Sequence, residues 1–154
     1  MSALTGVILT RIDSSAAFAL GTIYDDYSGK RYKYVQYDTG AGAVAAVAGN
    51  VAYVYAPSGA SAGATGVVTS DLSDSAGVGA GVLQSAPTDG DYCWVQVRGP
   101  ATLTTALTAG ADGNALTPVG STDGTLDVSA LVTDHICAVA IDASAKIIQC
   151  LFPD

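Results

Sequence analysis

Between Ala17 and Tyr37 apolar and polar positions alternate in two runs, AFALGTIY and RYKYVQY, separated by Asp25-Asp26-Tyr27-Ser28-Gly29, whose residue types favour turns. The pattern predicts a β-hairpin. Gly40–Asn50 (GAGAVAAVAGN) is Ala-rich, spaces Val44 and Val47 three apart and closes on Gly49-Asn50, which predicts one short helix. VAYVYA (51–56) returns to strand alternation through Val51, Tyr53 and Tyr55. PSGASAGATG (57–66) has the composition of a surface loop. It is the candidate boundary between residues 1–56, an N-terminal arm or hairpin with a short helix, and a β-body over 67–154, the two together reading as one domain.

The β-body carries an internal echo. GVGAGVLQSA (77–86) leads through a Pro-Thr-Asp-Gly turn into YCWVQV (92–97), and ICAVAIDASA (136–145) leads into KIIQCLF (146–152). Each reads as a small-residue strand, a turn and a bulkier strand containing Gln, as two related hairpins of one barrel or sandwich do. Strand periodicity sets Cys93, Val95 and Val97 on one face and Tyr92, Trp94 and Gln96 on the other, and groups Cys137, Val139 and Ile141 on a shared face. After YCWVQV the pattern predicts a break at Gly99-Pro100, a second, Thr-rich strand and a turn at Asp112-Gly113-Asn114.

Composition sharpens the β reading. A chain of 154 residues is long enough to bury roughly 68–70% of its unfolded surface. Its core is built from small pieces, because the 49% hydrophobic content includes only two Phe and one Trp. All 14 acidic residues are Asp, a poor helix former. Many of them (Asp71, Asp74, Asp89, Asp112, Asp123) adjoin Gly or Ser, where a short carboxylate accepts hydrogen bonds from turn backbone. The net charge of −8 opposes general binding to nucleic acid. The start of the chain, MSALTGVILTRIDSS, has no basic leader before its apolar run, and no stretch reaches the roughly 18 apolar residues of a membrane span. A cytosolic site of synthesis and no membrane partner are therefore expected.

Candidate chemistry is sparse. Cys93, Cys137 and Cys150 are odd in number and unequally spaced, with a single His in the chain, so free core thiols are expected rather than a disulfide framework or a zinc site. Asp134-His135 is the one pair that resembles a base for a Ser or Thr nucleophile, but nothing singles out a hydroxyl and no G-x-S-x-G occurs. The aspartates form no D-x-D-x-D-G calcium loop. GVGAGV lacks the Lys-Ser/Thr that completes a phosphate loop and reads as closely packed strand glycines. No catalytic residue, metal or cofactor is expected.

Charge is distributed unevenly. Lys30, Arg31 and Lys33 are half of the six basic residues, and Tyr24, Tyr27, Tyr32, Tyr34 and Tyr37 surround them. Three readings stand: a solvated hairpin whose tyrosines pack on the core, a protein-contact patch, or a single-strand nucleic-acid patch. The acidic remainder of the chain disfavours the last. Lys30, Arg31, Tyr32, Lys33 and Tyr34 are the candidate partner-binding residues.

With these features in place, the chain resembles head decoration (cement) proteins of tailed bacteriophages. The resemblance rests on GAGVLQSAPTDGDYCWVQVRGPATLTTALTAGADGNALTP (79–118) and GTLDVSALVTDHICAVAIDASAKIIQCLF (124–152), a little under half of the chain. Its marks are a Trp-x-Gln strand at Trp94–Gln96, the turn at Gly113-Asn114 and the closing phrase Ala138–Ala143. The Tyr-rich segment 24–37 and the stretch Val44–Asn50 lie outside it. The resemblance implies a non-enzymatic virion protein on the outer surface of an icosahedral head, bridging major capsid subunits. It further implies a homo-oligomer, a trimer at local three-folds ahead of a dimer at two-folds, with capsid contact through Met1–Tyr37. Pattern and resemblance together predict a mainly β fold: a compact β-barrel or sandwich body, β-tulip-like, with one short helix and an N-terminal hairpin or arm. The alternative function is a host-attachment or carbohydrate-binding module, with Tyr53, Tyr55, Tyr92 or Trp94 as a sugar-stacking platform.

Overall fold

YCWVQV alternates a small-aliphatic face with an aromatic and amide face, and such a strand must bury both sides. In the computed structural model, which describes residues 6–56 and 66–154, it opens the longest strand of the sheet. The strands in chain order are β1 (Ile23–Asp25), β2 (Arg31–Tyr37), β3 (Val51–Tyr55), β4 (Val67–Thr69), β5 (Ser75–Leu83), β6 (Tyr92–Thr102), β7 (Ala115–Thr117), β8 (Asp127–Val128), β9 (Ala138–Asp142) and β10 (Ile147–Leu151). A 3-10 turn at Leu72–Asp74 is the only helical element among the described residues. The sheet order is β1-β2-β4-β3-β5-β6-β10-β9-β7-β8, and pairing of β2 with β6 closes five strands into a mixed barrel. Among the described strands only β2 and β4 run parallel.

Residues 1–56 thus contribute β2 and β3, and these staves share one core with strands from the rest of the chain. The loop at 57–65 lies outside the described residues. Val35, Val51, Leu83, Cys93, Val95 and Val97 fill the interior, and Leu116, Leu126, Ile148 and Phe152 extend the same core beyond the barrel. The echo hairpins are real neighbours: β5–β6 and β9–β10 adjoin through the antiparallel β6–β10 pair. The glycines of GVGAGV are packing glycines. A Cβ on Gly79 would stand 2.7 Å from the Phe152 ring, and one on Gly81 would stand 2.8 Å from Val95.

Four expectations are corrected. Gly40–Asn50 is not a helix. Three of its N–H groups go to distant partners, Ala41 to Asp74, Gly42 to Asp71 (2.7 Å) and Gly49 to the Leu83 carbonyl (2.8 Å), the Val44 carbonyl accepts from the Tyr37 hydroxyl, and the local bonds (Ala43 to Gly40, Val44 to Thr39, Asn50 to Val47) form turns and no continuous helical ladder. Ala43 sits at φ +52, outside the helical region. Tertiary hydrogen bonds override the weak preference of a short Gly/Ala run.

Gly99-Pro100 does not break the strand either. β6 runs through it to Thr102, with β10 paired along 98–102. The missing Pro100 N–H falls on an edge that no described strand pairs, where Gln96 Nε2 donates to the Arg98 and Pro100 carbonyls at 3.0 Å each. The Thr-rich run after it is no strand: Leu103, Thr104 and Thr108 donate separately to Lys146, Gly49 and Leu126. Finally, Cys137 joins the core without Val139 and Ile141. Ala138 and Ala140 point inward, opposite Cys150 and Ile148, and Ile141 is 47% exposed. Small residues face large ones across that pair, which fills the layer without overpacking.

Aspartates tie the loops together. All five singled out by sequence accept backbone N–H groups: Asp71 from Gly42 and Ser73, Asp74 from Ala41, Asp89 from Thr39, Asp112 from Ala143 and Asp123 from Leu72. Most of these bonds span 30 residues or more of chain. The carboxylates therefore fix loops against one another, beyond closing their own turns.

Candidate partner-contacting surface

The β1–β2 hairpin holds the five candidate residues, and its turn is locked by Asp26. One oxygen of that carboxylate accepts the Ser28 N–H (2.9 Å), the Ser28 hydroxyl (2.7 Å) and the Lys30 N–H (3.0 Å). Burial alone would raise the Asp26 pKa, but these hydrogen bonds outweigh it and hold the group below the ordinary carboxylate value. Tyr27 stands fully in solvent at the tip.

The five residues separate into three environments. Tyr32 and Tyr34 are buried on the outer face of the barrel with Trp94, in a second core completed by Val7, Leu9, Phe18, Tyr24 and Tyr92. Phe18 meets the Tyr34 ring edge-on at 5.3 Å and Trp94 at 5.5 Å. The segment before β1 is thereby strapped over the barrel wall. Asp13, 7% exposed, accepts the Tyr34 hydroxyl at 2.7 Å, pairs with Arg11 at 2.5 Å and exchanges two backbone hydrogen bonds with Tyr92. Burial, reinforced by the Asp13 carboxylate, pushes the Tyr34 hydroxyl pKa up to about 12. These tyrosines pack on a core and offer no face to a partner.

Arg31 is an internal tie: it pairs with Asp25 (2.6 Å) and Asp154 (2.7 Å), both of which raise its pKa. Asp154 also lies 3.6 Å from Arg98. Lys30 and Lys33 remain without a carboxylate at ion-pair distance among the described residues. Lys33 lies beside Val35, Val67 and Pro153, whereas Lys30 lines a cleft on the other side of the strand.

Of the four candidate sugar-stacking residues, Tyr55 and Tyr92 are half-buried and the other two are closed off. Tyr53 and Trp94 are 0% and 1% exposed, and the Tyr53 hydroxyl is held by the Thr125 backbone. Asp134 does not pair with His135. Its carboxylate accepts the Ala130 and Leu131 N–H groups at 2.9 and 2.8 Å, which lower its pKa, and His135 is exposed. The three thiols are buried and free, and burial pushes those of Cys93 and Cys150 up to about 12. Among the described residues no group of three or more His, Cys or acidic side chains is placed to hold a metal.

Sequence reasoning missed one surface feature. Asp134 locks the turn Ala130–Asp134, which carries Leu131 (66% exposed) and Val132 (fully exposed) into water. The signal was present as two apolar residues in a segment closed by a turn-capping aspartate. Comparison with protein-family models, curated proteins and solved structures returns no match.

Proposed function

We propose that this chain is a structural virion protein that decorates the outside of a tailed-phage icosahedral head and stabilises it by bridging major capsid subunits, acting as a homo-oligomer. One observation carries the reading furthest. A closed barrel with aspartate-tied loops holds large apolar side chains in solvent on locked turns: Tyr27 on Asp26 and Leu131 with Val132 on Asp134. Rigid exposed side chains lose little entropy on binding, Tyr is enriched among the residues that dominate contact energy, and Leu131 and Val132 add apolar area that a partner can bury. The resemblance of 79–118 and 124–152 to decoration proteins supports a major capsid subunit as the partner, and repetition by capsid symmetry turns weak contacts into avidity. The activity is binding without turnover.

The test is co-sedimentation of purified protein with undecorated tailed-phage heads assembled from a major capsid protein. Saturable occupancy at a fixed copy number per capsid subunit is expected, and paired Leu131→Ser and Val132→Ser substitutions reduce it. Protein left in the supernatant at every ratio refutes the reading.

A further inference from the structure

Where β5 and β6 part, the outer wall of the barrel opens into a cleft of about 490 Å³. β5 and β6 pair only at Val82–Gln96 and Leu83–Val95. Beyond that point β6 follows β10 and leaves one edge without a neighbouring described strand. Val82, Pro100 and Ile147 give the cleft apolar walls, Gln84 and Gln96 line it with carboxamides, and Lys30 closes one side. None of its lining residues is acidic.

Lys30 is positioned rather than loose. Its N–H is held by Asp26 and its carbonyl accepts the Asp26 N–H, both at 3.0 Å. Its stem lies over Gly99, where a Cβ would meet the Lys30 Cγ at 2.9 Å. Gly99 has φ +91, so backbone geometry and space both favour a glycine there. In a chain with 14 aspartates and only six basic residues, this ammonium has no carboxylate at ion-pair distance among the described residues. The two carboxamides spend their N–H donors internally, Gln84 on the Val82 carbonyl at 2.9 Å and Gln96 on Arg98 and Pro100. Their oxygens have no hydrogen-bond donor among the described residues. The cleft therefore offers one cation, two neutral acceptors and apolar walls.

We propose that this cleft is a docking site for an extended acidic segment of a partner protein: an Asp or Glu carboxylate on Lys30, backbone N–H groups on the Gln84 and Gln96 oxygens, and an aliphatic side chain against Pro100 and Ile147. An extended peptide supplies the donors the carboxamides lack, and its carboxylate supplies Lys30 with a direct ion pair, which the more distant Asp26 does not make. Pro100 and the Gln96 side chain already occupy the free edge of β6, so recognition runs through side chains and not through an added strand. The identity of the partner as a capsid subunit rests on the function proposed above; the chemistry of the cleft does not.

The test uses the isotope-labelled full chain and the peptide acetyl-Asp-Val-Asp-Val-amide, with acetyl-Asn-Val-Asn-Val-amide as the neutral control. Saturable shifts in the Gln84 and Gln96 side-chain amides and at Gly49, which also lines the cleft, are expected with the acidic peptide in the millimolar range, about 10 mM and below. Lys30→Met, which keeps the apolar stem, weakens binding about tenfold, and Lys30→Arg retains it. In parallel, Lys30→Met occupancy on undecorated heads is expected to fall by a similar factor. Absence of shifts at the cleft, or equal binding of both peptides, overturns the proposal. Full head occupancy by Lys30→Met overturns the cleft as the capsid contact while leaving the decoration reading intact. Peptide shifts at the cleft with no head binding by wild type retain the cleft and refute decoration.

Discussion

Gly79→Ala tests how the barrel joins the strands beyond it. The new methyl would stand 2.7 and 2.8 Å from two atoms of the Phe152 ring and 2.9 Å from Cys137 Sγ. Carbon contacts settle near 3.5–4.0 Å, so the ring must retreat by roughly 1 Å inside a filled core. Phe152 is fully buried and its N–H is tied to the Val97 carbonyl at 3.1 Å, which leaves it little room. Overpacking of this kind costs about 1–3 kcal/mol. Taking about 2 kcal/mol, Tm falls by about 4–8 °C for a domain of this size. Urea unfolding of Gly79→Ala, Phe152→Leu and the double variant measures the effect and its coupling. The double variant is expected to be more stable than the sum of the singles by at least about 0.5 kcal/mol, because the smaller side chain admits the methyl. A Gly79→Ala protein with wild-type stability, or strictly additive singles, refutes the packing argument.

Tyr34→Phe removes the hydroxyl from the buried Asp13 carboxylate and is expected to cost about 1.5–3 kcal/mol. Hydrogen exchange should accelerate first at Asp13 and Tyr92, while the amides of β5 and β6 stay protected. Asp71 is buried, which by itself raises its pKa, but hydrogen bonds from Ser73, Gly42 and Asp74 bring it below the ordinary value of 3.8. Its contribution is therefore complete above the unfolded-state pKa near 4 and is lost as pH falls through the lower folded-state pKa. Thermal melts should show Asp71→Asn less stable than wild type at pH 7, with the gap closing toward pH 2; a constant gap contradicts the linkage. The thiols of Cys93, Cys137 and Cys150 should resist an aromatic disulfide reagent at pH 8 in the native state, and all three should react in guanidinium.

The sequence pattern carried the β-hairpins, because alternation in YCWVQV and RYKYVQY and the echo in ICAVAIDASAKIIQCLF are local properties of the chain. It also carried the role of the aspartates, since short carboxylates beside Gly and Ser have few other uses. Gly40–Asn50 was misread because its fate is decided by Asp71 and Asp74, some 30 residues away, and no window of local sequence contains them. Gly99-Pro100 looked like a break because the pattern does not show which edge of a strand is unpaired. The Lys-Tyr segment was legible as composition only. Alternation in β2 turned Tyr32 and Tyr34 toward the strap, ion pairs consumed Arg31, and the charges of Lys30 and Lys33 were left on opposite sides. The cleft beside Lys30 depends on β5 and β6 separating after two paired positions, a tertiary fact that periodicity does not encode.

The proposed role of this barrel is to present fixed surfaces to a viral shell. Imaging undecorated heads after incubation with the purified protein tests it most directly. Ordered density is expected at symmetry-related sites on the outer surface, with the exposed turns at Tyr27 and Leu131–Val132 directed at neighbouring protein. Bare heads at saturating protein, with the same preparation folded and soluble, would contradict it.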